Sequence, residues 1–96
     1  MRDRFGLEKL RVDLFLKRAR LVKRRSLASK LCGNGWVTLN GRLAPPGKSV
    51  RVGDEIAIRY PREKVIIRVE EIPATPAKGQ SCYTVISSEK IEEEIY

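Results

Sequence analysis

The period of the apolar residues changes in this 96-residue chain at Gly33-Asn34-Gly35. Before this tripeptide, apolar residues recur at three- and four-residue intervals, the spacing of one face of an α-helix. After it, they alternate with polar residues, which is typical of strands with one buried face. Glycine and asparagine accept the left-handed conformation common just past a helix end. The sequence therefore predicts an α+β fold, with two to three helices packed on a small, mainly antiparallel sheet.

The part before the tripeptide predicts two amphipathic helices. Residues 10–21 place four apolar side chains on one face, namely Val12, Phe15, Leu16 and Ala19. Asp13 lies in the first turn, where a carboxylate interacts favourably with the helix dipole. Ser26 is an N-cap residue type and is predicted to begin a second helix of about two turns. So short a helix needs packing against the first one to be stable.

The part after the tripeptide predicts a sheet. Asn40-Gly41 is a strong hairpin signal, so residues 36–39 and 42–44 are expected to pair before Pro45-Pro46-Gly47 interrupts them. A short extended segment with a turn is predicted at residues 50–54, and further strands at residues 55–60, 64–71 and 82–86. Residues 73–81 are expected to form a loop. Ser88 is expected to cap a terminal acidic helix over residues 89–95.

Positive charge is concentrated in the helical part. The chain has 20 Lys and Arg against 12 Asp and Glu, a formal charge of +8. Residues 9–30 contain nine of these basic residues and a single acid, Asp13, whereas residues 70–96 contain two basic and six acidic residues. Clustered positive charge of this kind points to a polyanionic partner.

The remaining composition gives no support for catalysis or metal binding. Cys32 and Cys82 lack any Cys-x-x-Cys spacing, and the chain has no histidine, so neither a zinc site nor a redox motif is indicated. Cys32 is expected to pack in the core, and Asp13 is interpreted as a structural residue or an orienting partner for Arg11. No cofactor is expected. Because no apolar run is long enough to span a bilayer, we expect a cytoplasmic protein. We do not expect an enzyme, because no second carboxylate, histidine or nucleophile accompanies Asp13.

Four segments with fixed spacing resemble the S-four RNA-binding domain, named after small-subunit ribosomal protein four. They are Arg11-Val-Asp13-Leu-Phe-Leu16, Arg24-Arg25-Ser26-x-Ala28-x-x-Leu31, Gly35-x-Val37-x-Leu39-Asn40-Gly41 and Val50-x-x-Gly53-Asp54-x-Ile56. The resemblance covers roughly half of the chain. It is strongest to short, stand-alone members that act in ribosome-associated quality control, and more distant to members of the heat-shock type.

The resemblance implies specific partners. They are the rRNA of the large ribosomal subunit, the peptidyl-tRNA in the P site of obstructed subunits, and a factor that tails the stalled chain. Matching positions assign RNA contact first to Arg11 and Arg25. Arg24 and Arg25 also precede the predicted start of a helix, where phosphates bind well. The complete predicted site consists of Arg11, Lys17, Arg20, Lys23, Arg24, Arg25 and Lys30. We expect a monomer.

Several alternatives remain at this point. The chain could be a general rRNA-binding, recycling or assembly factor, an RNA-targeting partner of an RNA-modifying enzyme, or an adaptor that binds proteins through its acidic end. Trp36 could stack on an unpaired base, although a position covering the helix–sheet junction is slightly preferred. The chain is divided into an N-terminal extension at residues 1–9, an RNA-binding domain at 10–72 and a tail at 73–96.

Overall fold

The computed structural model describes residues 8–74 and 82–91 of the chain. Within these residues two helices and seven strands follow one another. They are β1 (Leu10–Arg11), α1 (Val12–Arg18), α2 (Arg25–Gly33), β2 (Val37–Leu39), β3 (Arg42–Leu43), β4 (Ser49–Val50), β5 (Glu55–Tyr60), β6 (Glu63–Val69) and β7 (Tyr83–Lys90). The predicted α+β class is confirmed.

Helix α1 is shorter than predicted at both ends. At its start, Leu10 and Arg11 pair with β4 as a short strand. At its end, Arg20 has a φ of 63°, the left-handed conformation. The backbone N–H of Leu21 donates to the Leu16 carbonyl and that of Arg20 to the Lys17 carbonyl, so the helix ends in a Schellman motif with arginine at the position that glycine usually occupies. No glycine or asparagine marked this helix end in the sequence.

Helix α2 ends as predicted, but its N-cap lies two residues earlier than predicted. Gly35 has a φ of +80°, and the Trp36 N–H donates to the Leu31 carbonyl, which forms a second Schellman motif. The expected N-cap at Ser26 is wrong, because the N-cap is Arg24, whose carbonyl accepts the Ala28 N–H at 3.0 Å. The cap is made by extended backbone alone, without a side-chain hydrogen bond.

Five of the seven strands form one antiparallel sheet in the order β3-β2-β5-β6-β7. The Asn40-Gly41 hairpin is confirmed, with φ values of 50° and 86° at the two turn residues. The side chain of Asn40 joins this turn to the next one, since it donates to Asp54 Oδ1 at 3.1 Å and accepts the Glu55 N–H at 2.9 Å. The predicted strand over residues 55–60 is confirmed at its full length.

Strands β1 and β4 form a separate two-stranded ladder that the sequence did not predict. Leu10 pairs with Val50, and Arg11 pairs with Ser49. The ladder continues into α1, whose Val12 N–H donates to the Lys48 carbonyl at 2.7 Å. The start of α1 is therefore attached to the segment that follows the hairpin.

The C-terminal part differs most from the prediction. Strand β7 was expected over residues 82–86, but it continues to Lys90, so a helix capped by Ser88 is wrong for the described residues. The ladder with β6 explains the difference, because Ser88 pairs with Val65 and Glu89 pairs with Lys64. The rest of the predicted helix, and the glutamates of the acidic tail beyond Ile91, lie outside the described residues.

The core lies between the helices and one face of the five-stranded sheet. It includes Phe15 and Leu16 of α1, Ala28 of α2, and Ile56, Ile58 and Ile67 of the sheet. Cys32 and Cys82 are buried in this core as free thiols. Strand β7 belongs to the same sheet as β5 and β6, although the predicted division between domain and tail falls before it. The divisions at residues 9 and 10 and at residues 72 and 73 stay predictions.

Candidate RNA-binding surface

The two arginines that the resemblance singled out meet at one buried carboxylate. Asp13 is 2% exposed. Arg11 donates to it twice, from Nε to Oδ1 at 3.1 Å and from Nη2 to Oδ2 at 3.0 Å. Arg25 Nε lies 3.6 Å from Oδ2. Asp13 therefore orients Arg11, as one interpretation of the sequence proposed, and it also joins this residue to Arg25.

Both guanidinium groups remain accessible. The side chains of Arg11 and Arg25 are 51% and 47% exposed. Hydrogen bonding to Asp13, together with its negative charge, raises the pKa of Arg11 above the ordinary value for arginine. A guanidinium group that is held by a carboxylate on one side and open to solvent on the other is suited to bidentate contact with phosphate.

Backbone contacts determine where Arg11 lies. It belongs to β1, and the loop before β4 passes beside its guanidinium group, since a Cβ atom on Gly47 would lie 4.0 Å from Arg11 Cζ. Arg42 of β3 and Lys48 of this loop, which were not predicted as site residues, line one depression together with Leu43 and Pro45. These two cations lie far from the basic segment in sequence, and the fold brings their segment next to Arg11.

Two further depressions contain the other predicted cations. Lys17, Arg20 and Lys23 line the first one together with Val22. Lys23 also lines the second one, which includes Arg24, Lys30 and Leu27. The predicted cations thus occur in neighbouring groups along α1, the helix connection and α2. RNA contact by these seven residues stays a prediction.

Two partly buried side chains hold the end of α1 and the helix connection in place. The Tyr60 hydroxyl of β5 donates to the Leu21 carbonyl at 2.7 Å. Arg18 donates from Nη1 to the Pro73 carbonyl at 3.2 Å, so this basic residue has a structural contact. The connection that presents Arg20 and Lys23 is therefore attached to the sheet.

Cys32 is a core residue. It is 4% exposed, and burial, aided by the negative charge of Asp13, raises the pKa of its thiol to about 11. A protonated, buried thiol is a poor nucleophile. Among residues 8–74 and 82–91, no group of three or more His, Cys, Asp or Glu residues is arranged to hold a metal ion.

Trp36 does not cover the helix–sheet junction, which was the position preferred from the sequence. Its side chain is 42% exposed, and it lines a groove with Thr38, Ala57 and Arg59 on the sheet face opposite the helices. The alternation of β2 explains this position, because Val37 is fully buried on the inner face and its neighbours point to the other side.

Comparison with known proteins agrees with this architecture. The S4 domain model matches residues 10–56. The RQC P-site tRNA stabilizing factor of Bacillus subtilis is 36% identical over 86 residues, which are 88% of this chain and 100% of that protein. The chain belongs to the S4-domain family of RQC P-site tRNA stabilizing factors.

Other members and one solved structure extend the comparison. The stabilizing factor of Helicobacter pylori strain J99 is 39% identical over 77 residues, covering 77% of this chain and 92% of that protein. The trimeric structure of Vibrio cholerae Heat Shock Protein 15 superposes with a TM-score of 0.77 at 34% identity, and covers 83% of this chain and 84% of that one. This S4-domain protein is thus an RNA-binding, ribosome-associated protein. No helix among its described residues is long and apolar enough to cross a membrane.

Proposed function

We propose that this protein binds rRNA of the large ribosomal subunit together with P-site peptidyl-tRNA, and stabilises that tRNA on obstructed subunits while the stalled chain is tailed. Its relatives are named for P-site tRNA stabilization in RQC, ribosome-associated quality control. In this proposal the protein acts in the cytoplasm as a monomeric binding module without catalysis of its own, beside the tailing factor.

The observation that carries the proposal is the pair of half-exposed arginines on the buried Asp13. An oriented arginine loses little conformational freedom when it contacts phosphate, because the carboxylate already holds it. Lys17, Arg20, Lys23, Arg24 and Lys30 add charge around this pair. Recognition should depend on RNA shape and phosphate positions, since the major groove of duplex RNA is too narrow for a helix to read.

The decisive experiment is co-sedimentation of an Arg25→Ala variant with large subunits that contain peptidyl-tRNA. We expect binding to fall at least tenfold, because one oriented phosphate contact is lost. Arg68→Ala is the matched control, since Arg68 is 46% exposed and ion-paired with Glu70 at 3.4 Å, and it should bind like the wild type. Equal binding by both variants would contradict the site.

The same assay separates the proposal from general rRNA binding. A P-site tRNA stabilizing factor should prefer subunits with peptidyl-tRNA, whereas a general recycling or assembly factor should bind empty subunits as well. Arg11→Lys is a useful second variant, because lysine keeps the charge next to Asp13 and loses the bidentate fork. Light scattering of the purified protein tests the monomer, which matters because the solved heat-shock relative is described as trimeric.

A further inference from the structure

Three side chains form one row across the outer face of the sheet. The Arg59 N–H donates to the Trp36 carbonyl at 2.9 Å, which continues the pairing of Val37 with Ile58 by one residue. Arg59 in turn pairs with Lys64 of β6. Directly opposed residues of antiparallel strands point to the same face with their Cβ atoms about 5 Å apart. Trp36, Arg59 and Lys64 are therefore neighbours.

The row borders a groove with a small-residue side. Thr38 and Ala57, which pair with each other in the next row, line the groove together with Ile91. Their short side chains leave space beside the indole ring. Trp36 is 42% exposed and is not part of the core, so part of this large aromatic side chain is accessible at the groove.

The chemistry of the groove fits a nucleotide better than a protein segment. Among the described residues, its lining includes an aromatic ring and two cations, and no acidic residue. Successive bases of single-stranded RNA stack on exposed aromatic side chains, while nearby cations contact the phosphates. Glu89 of β7 pairs with Lys64 of β6 and so lies at the end of the row, but it is not part of this lining.

The groove also continues the proposed RNA surface. Lys30 lies in the last turn of α2, and the Schellman motif at Gly35 directs the chain from that turn into Trp36. The last basic residue of α2 and the groove therefore lie on either side of one tight turn.

We propose that this groove binds one unpaired nucleotide of the RNA, with its base stacked on Trp36 and its phosphate contacted by Arg59 and Lys64. The proposal rests on the RNA-binding function proposed above and adds a second contact on the outer face of the sheet. It assigns recognition of duplex shape to the helices and recognition of a single-stranded segment to the sheet.

The experiment uses the fluorescence of Trp36, the single tryptophan of the chain. An RNA hairpin with a short single-stranded 3′ extension is titrated against the same hairpin with a blunt end. We expect the extension to quench the fluorescence and to tighten binding roughly tenfold, as one stacked base should. Trp36→Ala should lose this gain, and Trp36→Phe should retain most of it, because phenylalanine still offers a ring.

The controls separate this proposal from the proposed function. Trp36→Ala should melt like the wild type, since the residue is outside the core. Arg25→Ala should weaken both hairpins equally and leave the gain from the extension intact. If the extension neither quenches Trp36 nor tightens binding while the blunt hairpin still binds, the groove is not a nucleotide site. If Trp36→Ala weakens association with large subunits without any effect of the extension, a protein occupies the groove and the proposal is also wrong.

Discussion

Asp13 is buried, whereas its partners Arg11 and Arg25 are half exposed. A buried carboxylate needs partners because its desolvation is costly. The same contacts fix two guanidinium groups at the surface, so a requirement of the core also organises the proposed RNA site. Folding and binding thus share one residue.

Asp13→Asn should therefore affect stability and binding together. Asparagine keeps the shape but places an amide opposite a guanidinium donor and leaves the two arginines to repel each other. We expect a loss of about 1–3 kcal/mol in the free energy of unfolding. Affinity for large subunits should fall several-fold although the net charge rises by one unit. Chemical denaturation and co-sedimentation measure the two effects.

Glu55→Gln provides the matched control for charge, because Glu55 is exposed and its removal changes the net charge by the same amount. If Asp13→Asn bound large subunits as tightly as this control, the arginines would not need orientation by a carboxylate.

Residue types predicted some of these contacts and missed others. The contact between Arg11 and Asp13 was one interpretation of the sequence, since only Val12 lies between them in the chain. Arg25 approaches Asp13 only after both helices have packed, so its contact depends on tertiary structure. The left-handed Arg20 lacked a signal altogether, because arginine rarely adopts a positive φ.

Among the secondary-structure elements, β5 holds the connection between α1 and α2 through the Tyr60 hydroxyl. Burial, followed by the negative charge of Tyr83 and Glu63, raises the pKa of Tyr60 to about 12. Its ordinary value in an unfolded chain is about 10. The protonated hydroxyl therefore contributes stability below pH 10, and this contribution is lost as the pH rises from about 10 to about 12.

Tyr60→Phe should destabilise the protein by about 1 kcal/mol at neutral pH, because the ring remains and one hydrogen bond is lost. The difference in the free energy of unfolding between wild type and variant should shrink from pH 10 upward, because the wild type then loses the contribution that the variant lacks. Denaturation at a series of alkaline pH values measures this. Tyr83→Phe controls for removing a tyrosine hydroxyl elsewhere. If the difference in the free energy of unfolding between wild type and Tyr60→Phe stayed constant with pH, the role given to the Tyr60 hydroxyl would be wrong.

Periodicity predicted the interiors of the elements better than their ends. The hairpin at Asn40-Gly41 and strand β5 followed from local signals. The β1–β4 ladder joins two-residue strands, which are too short to produce a periodic pattern. Strand β7 was missed beyond Ile86 because Ser88 and Glu89 are typical of a helix start, while pairing with β6 decides their conformation.

At the scale of the whole molecule, nine basic residues fall between Lys9 and Lys30, along α1, α2 and the segment that joins them. If these residues contact phosphates, RNA binding should release counterions and weaken with salt. The slope of log affinity against log salt concentration should flatten by about one unit for Arg25→Ala and by about two for the double variant with Arg11→Ala.

Filter binding or fluorescence anisotropy at several salt concentrations measures these slopes. Arg68→Ala should leave the slope unchanged, since Arg68 is paired with Glu70 on the sheet. A slope that does not respond to either arginine would place the phosphate contacts elsewhere on the molecule.

The β1–β4 ladder has a consequence for the order in which the protein becomes functional during its own synthesis. Arg11 is made early, but its partner strand at Ser49–Val50 leaves the exit tunnel much later. Contacts between distant parts of a chain form only after both parts have emerged. A nascent chain therefore presents Arg11 without its β4 partner until Ser49–Val50 has also left the tunnel, which is later than the point at which half of the chain has been made. The surface around Arg11 is therefore complete only after the chain has emerged beyond β4.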